Sequence, residues 1–230
     1  MWLGEFRYRT AWNATANERR YDAPADPWAF VHVDPSGVER FNVVSLLWGL
    51  GRVRDGDWDQ PKSCRRIDDT HIYQGLARRF EAGNDWEETA YYTHAVGRVD
   101  ENGEYCGCES EAQLMKGYLP TIDNLYTILC GEGYRPNRGV VYDDPEDAGY
   151  IHDLEPMALI GRDGEVIWTE GFHRLVLADL ADIDAIPVYV LRWHEAWQRV
   201  RDALARTTPE ERPSALATHA EHPDASEFVS

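Results

Sequence analysis

Five consecutive residues, Glu170-Gly171-Phe172-His173-Arg174, place a carboxylate, a glycine, an imidazole and a guanidinium side by side. They follow the apolar run Val166-Ile167-Trp168-Thr169 and precede Arg174 to Ala181, where Leu175, Ala178, Leu180 and Ala181 recur as on a helix. A tight strand-to-helix turn is expected. Such a turn leaves backbone N–H groups free at the helix start, and these groups, with the helix dipole, favour a bound anion such as a nucleotide phosphate. Gly171 can take a positive φ and let the backbone approach a phosphate closely. Arg174 can hold phosphate oxygens with two hydrogen bonds. His173 can donate a hydrogen bond or shuttle a proton near neutral pH. Glu170 can bind Mg2+, orient His173 or act as a base. A structural reading competes, with Glu170 and Arg174 as an i,i+4 pair and His173 closing the turn.

Other candidates are more scattered. Asp57 and Asp59, framed by Gly56 and Trp58, are possible substrate or metal contacts, or a solvated acidic turn. His194 and Trp197 share a helix face, where packing explains them as well as substrate contact does. His32 reads as a packed strand residue. The four cysteines, Cys64, Cys106, Cys108 and Cys130, are expected to be reduced. Cys106-Gly107-Cys108 lacks the two-residue spacer and second ligand pair of a structural zinc site. Gly49 and Gly51 lack the third glycine and the helix of a dinucleotide fingerprint.

The elements that must position these residues are legible in part. Residues 1–25 read as an irregular arm. Pro27 to Val33 and Val43 to Trp48 read as strands that end in turns. Residues 69–82 and the stretch from Asp85 to Tyr92 carry helical spacing, and 97–109 reads as a loop. A helix begins at Ser110-Glu111, and Ile122 to Leu129 keeps one apolar face as far as Gly131 and Gly133. Met157 to Arg162 and Val166 to Thr169 flank Asp163-Gly164, a hairpin dipeptide. Ile186 to Leu191 is a third strand, His194 to Leu204 a final helix, and 206–230 a disordered tail.

With 230 residues, 43% of them hydrophobic, the chain can bury one substantial core or a core with a smaller lobe. No apolar run is long enough to span a membrane, and the start does not read as a secretory signal, so a cytoplasmic protein without a membrane partner is expected. The formal net charge is −18, and only Lys62 and Lys116 are lysines. That acidic surface, with basic residues almost all arginine, reads as salt adaptation, as in a halophile. It argues weakly against DNA as a partner.

Thr121 to Leu191 resembles the ParB/sulfiredoxin superfamily in the order of its motifs. The helix Ile122–Leu129 is followed by Gly133-Tyr134-Arg135-Pro136, the hairpin Met157–Thr169, the turn Gly171-Phe172-His173-Arg174, a helix, and Ile186-Pro187-Val188. The chain also looks like a group of ParB-like proteins ending in Arg-x-His-x-x-Trp-Gln, here Arg192 to Gln198. The resemblance implies an α+β fold, a mixed sheet with helices over 116–205, preceded by a family-specific α/β lobe over 26–115. It implies a nucleotide (ATP, ADP or CTP) with Mg2+ at Gly171 to Arg174, with Arg135 facing the nucleotide. Phe172 stands where sulfiredoxins carry their catalytic cysteine, and Phe172-His173 replaces the Glu-Arg of the CTP-binding partition proteins. Glu170-Gly171-Phe172-His173-Arg174 is closest to a free serine kinase branch. The expected function is a Mg-dependent phosphotransferase or nucleotide hydrolase with Glu170 and His173 as catalytic residues. Alternatives are a non-catalytic nucleotide-sensing or DNA-associated module, or a nuclease.

Overall fold

The apolar stretch beginning at Ile186 becomes the central strand of the structure, a computed structural model that describes residues 3–145 and 147–228. Seven strands form one sheet: β1 Val31–Val33, β2 Arg40–Phe41, β3 Arg52–Arg54, β4 Arg65–Arg66, β5 Met157–Ile160, β6 Val166–Glu170 and β7 Ile186–His194. The helices are α1 Leu3–Glu18, α2 His71–Phe80, α3 Ala90–Asn102, α4 Glu111–Gln113, α5 Leu119–Glu132, α6 Phe172–Leu180, α7 Glu195–Ala205 and α8 Ser214–Ala220. The expected α+β class holds.

The sheet runs β1-β7-β5-β6-β2-β4, with β3 also on β7. β5 and β6 are the antiparallel hairpin expected around Asp163-Gly164, while β5 and β3 lie parallel to β7 and β2 parallel to β6. Side chains alternate between the two faces. Ala158, Ile160, Trp168, Val188 and Val190 pack with Leu76, Tyr91, Ile122 and Leu177 from α2, α3, α5 and α6. Met157, Leu159, Ile167, Tyr189 and Leu191 pack on the other face with Phe6, Leu50 and Leu154. The first cluster draws on residues from Val31 to Trp197, so strands from the 26–115 segment complete the sheet of the 116–205 segment.

Five expectations are corrected. The N-terminal arm is the helix α1. Its buried residues, Phe6, Thr10, Asn13 and Asn17, keep helical spacing but are mostly polar, so apolar periodicity does not reveal them. They serve the backbone of 48–51: Asn13 donates to the carbonyls of Trp48 and Leu50, both at 2.8 Å, and Asn17 to that of Gly51 at 2.7 Å. Asn13 thereby takes the Trp48 carbonyl, and residues 46–48, capped by Ser45, form a 3-10 turn where a strand over Val43–Trp48 was expected. Gly49 is needed there because a Cβ would lie 2.5 Å from the Thr10 nitrogen. The loop expected at 97–109 begins only after α3 ends at Asn102, and His32 is exposed on β1.

The fifth correction is the tail. Residues 206–228 carry α8 and two 3-10 turns. Asp224 is buried and accepts hydrogen bonds from the indoles of Trp193 (3.0 Å) and Trp197 (2.8 Å), and it pairs with Arg201 at 3.1 Å. The segment's apolar contacts are few, Leu216, Ala220, Ala225 and Phe228 against Val200 and Leu204, and a buried polar residue completes the anchor, so composition suggested disorder. No helix among the described residues is long and apolar enough to cross a membrane.

Candidate functional site

Gly171 takes the left-handed conformation (φ 85°, ψ 39°) between β6 and α6, and a Cβ there would lie 2.9 Å from that of Pro156. Only glycine meets both demands without strain. Gly171, the N-cap residue, supplies no side-chain hydrogen bond to α6, so the first N–H groups of the helix have no cap from it. Glu170 ends β6 half-buried, and no described side chain pairs with its carboxylate.

The other two polar residues of the turn face inward. His173 Nε2 lies 2.8 Å from the hydroxyl of Tyr91, which lies 3.1 Å from that of Tyr118. Burial, and then His71, lower the His173 pKa to about 4, so the imidazole is neutral at pH 7. Arg174 donates to the carbonyls of Leu154 (3.0 Å) and His152 (3.2 Å) and lies 3.5 Å from the buried Glu155. Glu155 in turn accepts from Tyr134 and from the backbone of Asn137 and Arg138. Arg174 thus clamps the connector between α5 and β5. Arg135 is exposed and paired with Glu132 at 2.6 Å.

Phe172 is half-buried on the groove side of the turn. It meets Phe41 edge-on, with ring centroids 5.1 Å apart, and lines a groove of about 600 Å³. Arg65 and Arg66 of β4, Asp69 and His71 line it too. Arg65 makes no ion pair with a described residue, whereas Arg66 pairs with Asp68 at 2.8 Å. Thr70 caps α2 by accepting from the Tyr73 nitrogen. His71 stacks on His94 at 3.6 Å, and burial, then His94, hold its pKa at about 4.

Asp57, Asp59 and His194 are brought together elsewhere, as a latch at the hairpin end of the sheet. The buried Asp59 accepts from Arg162 three times, at 2.8–2.9 Å. Burial opposes its ionisation, but these bonds outweigh burial and bring its pKa down to about 2. Asp57, exposed, pairs with Lys62 (3.0 Å) and Arg162 (3.2 Å). His194 accepts from the Ala196 nitrogen through Nδ1, so its Nε2 donates to the Gly56 carbonyl, at 2.9 Å. The length of β6, about 13 Å at the usual strand rise, separates this latch from Glu170. Cys106 and Cys108 sit in a tight turn in which Tyr105 and Cys108 exchange backbone hydrogen bonds.

The groove residues Phe41, Arg65, Arg66, Asp69 and His71 do not stand out by motif. The one available signal is the adjacent pair Arg65-Arg66 in a chain with 41 acidic and 23 basic residues. Comparison with protein-family models, curated proteins and solved structures finds no significant match to this chain.

Proposed function

We propose that the chain binds a nucleotide, ATP, ADP or CTP, in the groove beside Phe172 and acts on it as a phosphotransferase or hydrolase. The observation that carries this reading is the groove itself. Its volume of about 600 Å³ suits a nucleotide-sized ligand. Phe41 and Phe172 offer aromatic surface to a base, and Arg65 and Arg66 offer guanidinium groups to phosphates. The uncapped N–H groups of α6 begin at Phe172, one of the lining residues. The motif-order resemblance to the ParB/sulfiredoxin superfamily points to the same turn.

Within this reading the residues divide their work. Arg65, Phe172 and the α6 amides bind. Glu170 acts as base or metal ligand at the edge. His173 positions Phe172 from behind and is not a proton shuttle at neutral pH. Arg174 stabilises the connector under the turn. Among the described residues, no group of three His, Cys, Asp or Glu side chains could hold a metal ion. Mg2+ would therefore enter on the phosphates, with Asp69 or Glu170 as one protein ligand. A nuclease would need clustered acidic ligands, which disfavours that alternative. The withdrawal of His173 and Arg174 favours nucleotide sensing without catalysis as the second reading, and the −18 charge disfavours DNA as its partner.

Thermal unfolding in molar KCl with Mg2+ tests the proposal. One nucleotide at millimolar concentration is expected to raise the midpoint by mass action, and Arg65→Ala or Phe172→Ala to abolish the rise. No rise with any of the three sinks nucleotide binding. If binding is found, phosphate release or transfer that survives Glu170→Gln unchanged removes Glu170 from the chemistry.

A further inference from the structure

A second concentration of positive charge lies at the other end of the sheet. β3 pairs with the end of β7 in the register Arg52↔Arg192, Val53↔Trp193, Arg54↔His194. Residues in register share a face, as do residues two apart on a strand, so Arg52, Arg54 and Arg192 stand together. A bulge places Arg192 among them. Ala158 pairs with Val190 but Leu159 pairs with Arg192, so β7 holds one extra residue, Leu191. The shift returns Trp193 to the core cluster of Val190 and turns Arg192 to the opposite face.

None of these three guanidinium groups makes an ion pair or hydrogen bond with a described residue. Arg52 lies over the Trp48 ring at 4.3 Å and Arg192 over the Trp58 ring at 5.4 Å. Arg192 Nε is shielded from solvent and has no hydrogen-bond partner. Burial, then Arg52 and Arg54, lower the Arg192 pKa to about 10. The rim carboxylates are turned elsewhere: Glu195 to Arg20 (3.0 Å) and Arg199 (2.9 Å), and the exposed Asp55 towards His194. Between Arg54, Arg192 and Trp58 opens a cleft of about 330 Å³. Three neighbouring like charges without a paired carboxylate are unfavourable; Asp55 and Glu195 line the cleft but are directed to other partners, which leaves the guanidinium groups to an added anion.

We propose that this cleft binds a small, multiply charged phosphate anion, a pyrophosphate or the phosphate of a phosphomonoester. The planar guanidinium fork matches phosphate oxygens with two hydrogen bonds. Several converging positive charges select a ligand with two or more negative charges over a single carboxylate. The net charge of −18 repels a nucleic-acid strand along its length, whereas a small ion meets only the local field. β5 and β6 separate β7 from β2, so the cleft is distinct from the groove beside Phe172.

Calorimetric titration of inorganic pyrophosphate into the full chain in molar KCl tests the site. Binding is expected, with a Kd roughly tenfold or more higher in Arg54→Ala and in Arg192→Gln, the loss typical of a charged hydrogen bond. It is expected to be unchanged in Arg65→Ala, which disables only the other groove. Arg54 is exposed and outside the core, so its variant tests the site even if Arg192→Gln does not fold. No binding at millimolar pyrophosphate, or equal binding by Arg54→Ala, overturns the proposal. So does Arg54-dependent binding of a single-stranded oligonucleotide without binding of pyrophosphate, which assigns the cleft to nucleic acid.

Discussion

Asp59 is a carboxylate whose burial and partners pull in opposite directions. Burial raises the cost of its charge, and the three bonds from Arg162 more than compensate, leaving its pKa at about 2. Its unfolded value is about 3.9. A depressed folded pKa contributes stability that is present above the unfolded value and lost as pH falls through the folded one. Asp59→Asn is therefore expected to lower stability at pH 7 by about 2 kcal/mol, since charged hydrogen bonds become neutral ones. In chemical denaturation at pH 7 and at pH 2, the gap between variant and wild type should narrow at the lower pH. A gap of equal size at both would show that the charge does not matter. The sequence marks Asp59 as set in a defined loop, but not that Arg162, about 100 residues on, holds it. The same distance in sequence hides the groove, whose walls come from β2, β4, α2 and α6.

At the scale of elements, α2, α5, α6, the β5–β6 hairpin and β7 were legible because their apolar residues repeat at 3.6 or 2 and end in glycine or capping residues. α1 and the 206–228 segment were not, since each docks through a few scattered apolar residues helped by buried polar side chains. Asp224 concentrates the second case: two indole N–H groups and Arg201 converge on one buried carboxylate. Asp224→Ala leaves two buried indole donors unpaired and takes from the buried Arg201 one of its two carboxylate partners, Glu227 being the other, and is expected to destabilise the protein by about 3–5 kcal/mol. The fluorescence of Trp193 and Trp197 should shift to the red as the segment lifts off. Wild-type stability and an unshifted spectrum would mean that the segment contributes nothing to the core.

Across the whole molecule the acid response should begin with histidine. His71 and His173, both held near 4 chiefly by burial, would titrate near 6.5 in the unfolded chain. Protonation thus favours unfolding as pH falls from 6.5 to about 4, and the stability from keeping both rings neutral is complete only above 6.5. Urea midpoints are expected to fall between pH 7.5 and 5, in a range where ordinary carboxylates stay ionised. The double variant His71→Gln/His173→Gln should flatten that fall. An undiminished slope would place the acid sensitivity elsewhere. None of this was visible in the sequence, because His71 and His173 lie about 100 positions apart and share one rear wall only after α2 docks on α6.

The central place of β7 also bears on how the chain is made. β1 and β3 find their partner only when residues 186–194 emerge from the ribosome, about 150 residues after they do. During that interval Val31, Val33 and the exposed backbone of both strands have nothing to pair with, a state open to mispairing between nascent chains. The indoles of Trp193 and Trp197 wait longer still, until Asp224 has been synthesised. Stalling translation before residue 186 should leave a product that chaperones hold, whereas stalling well beyond residue 224 should leave one that proteases spare.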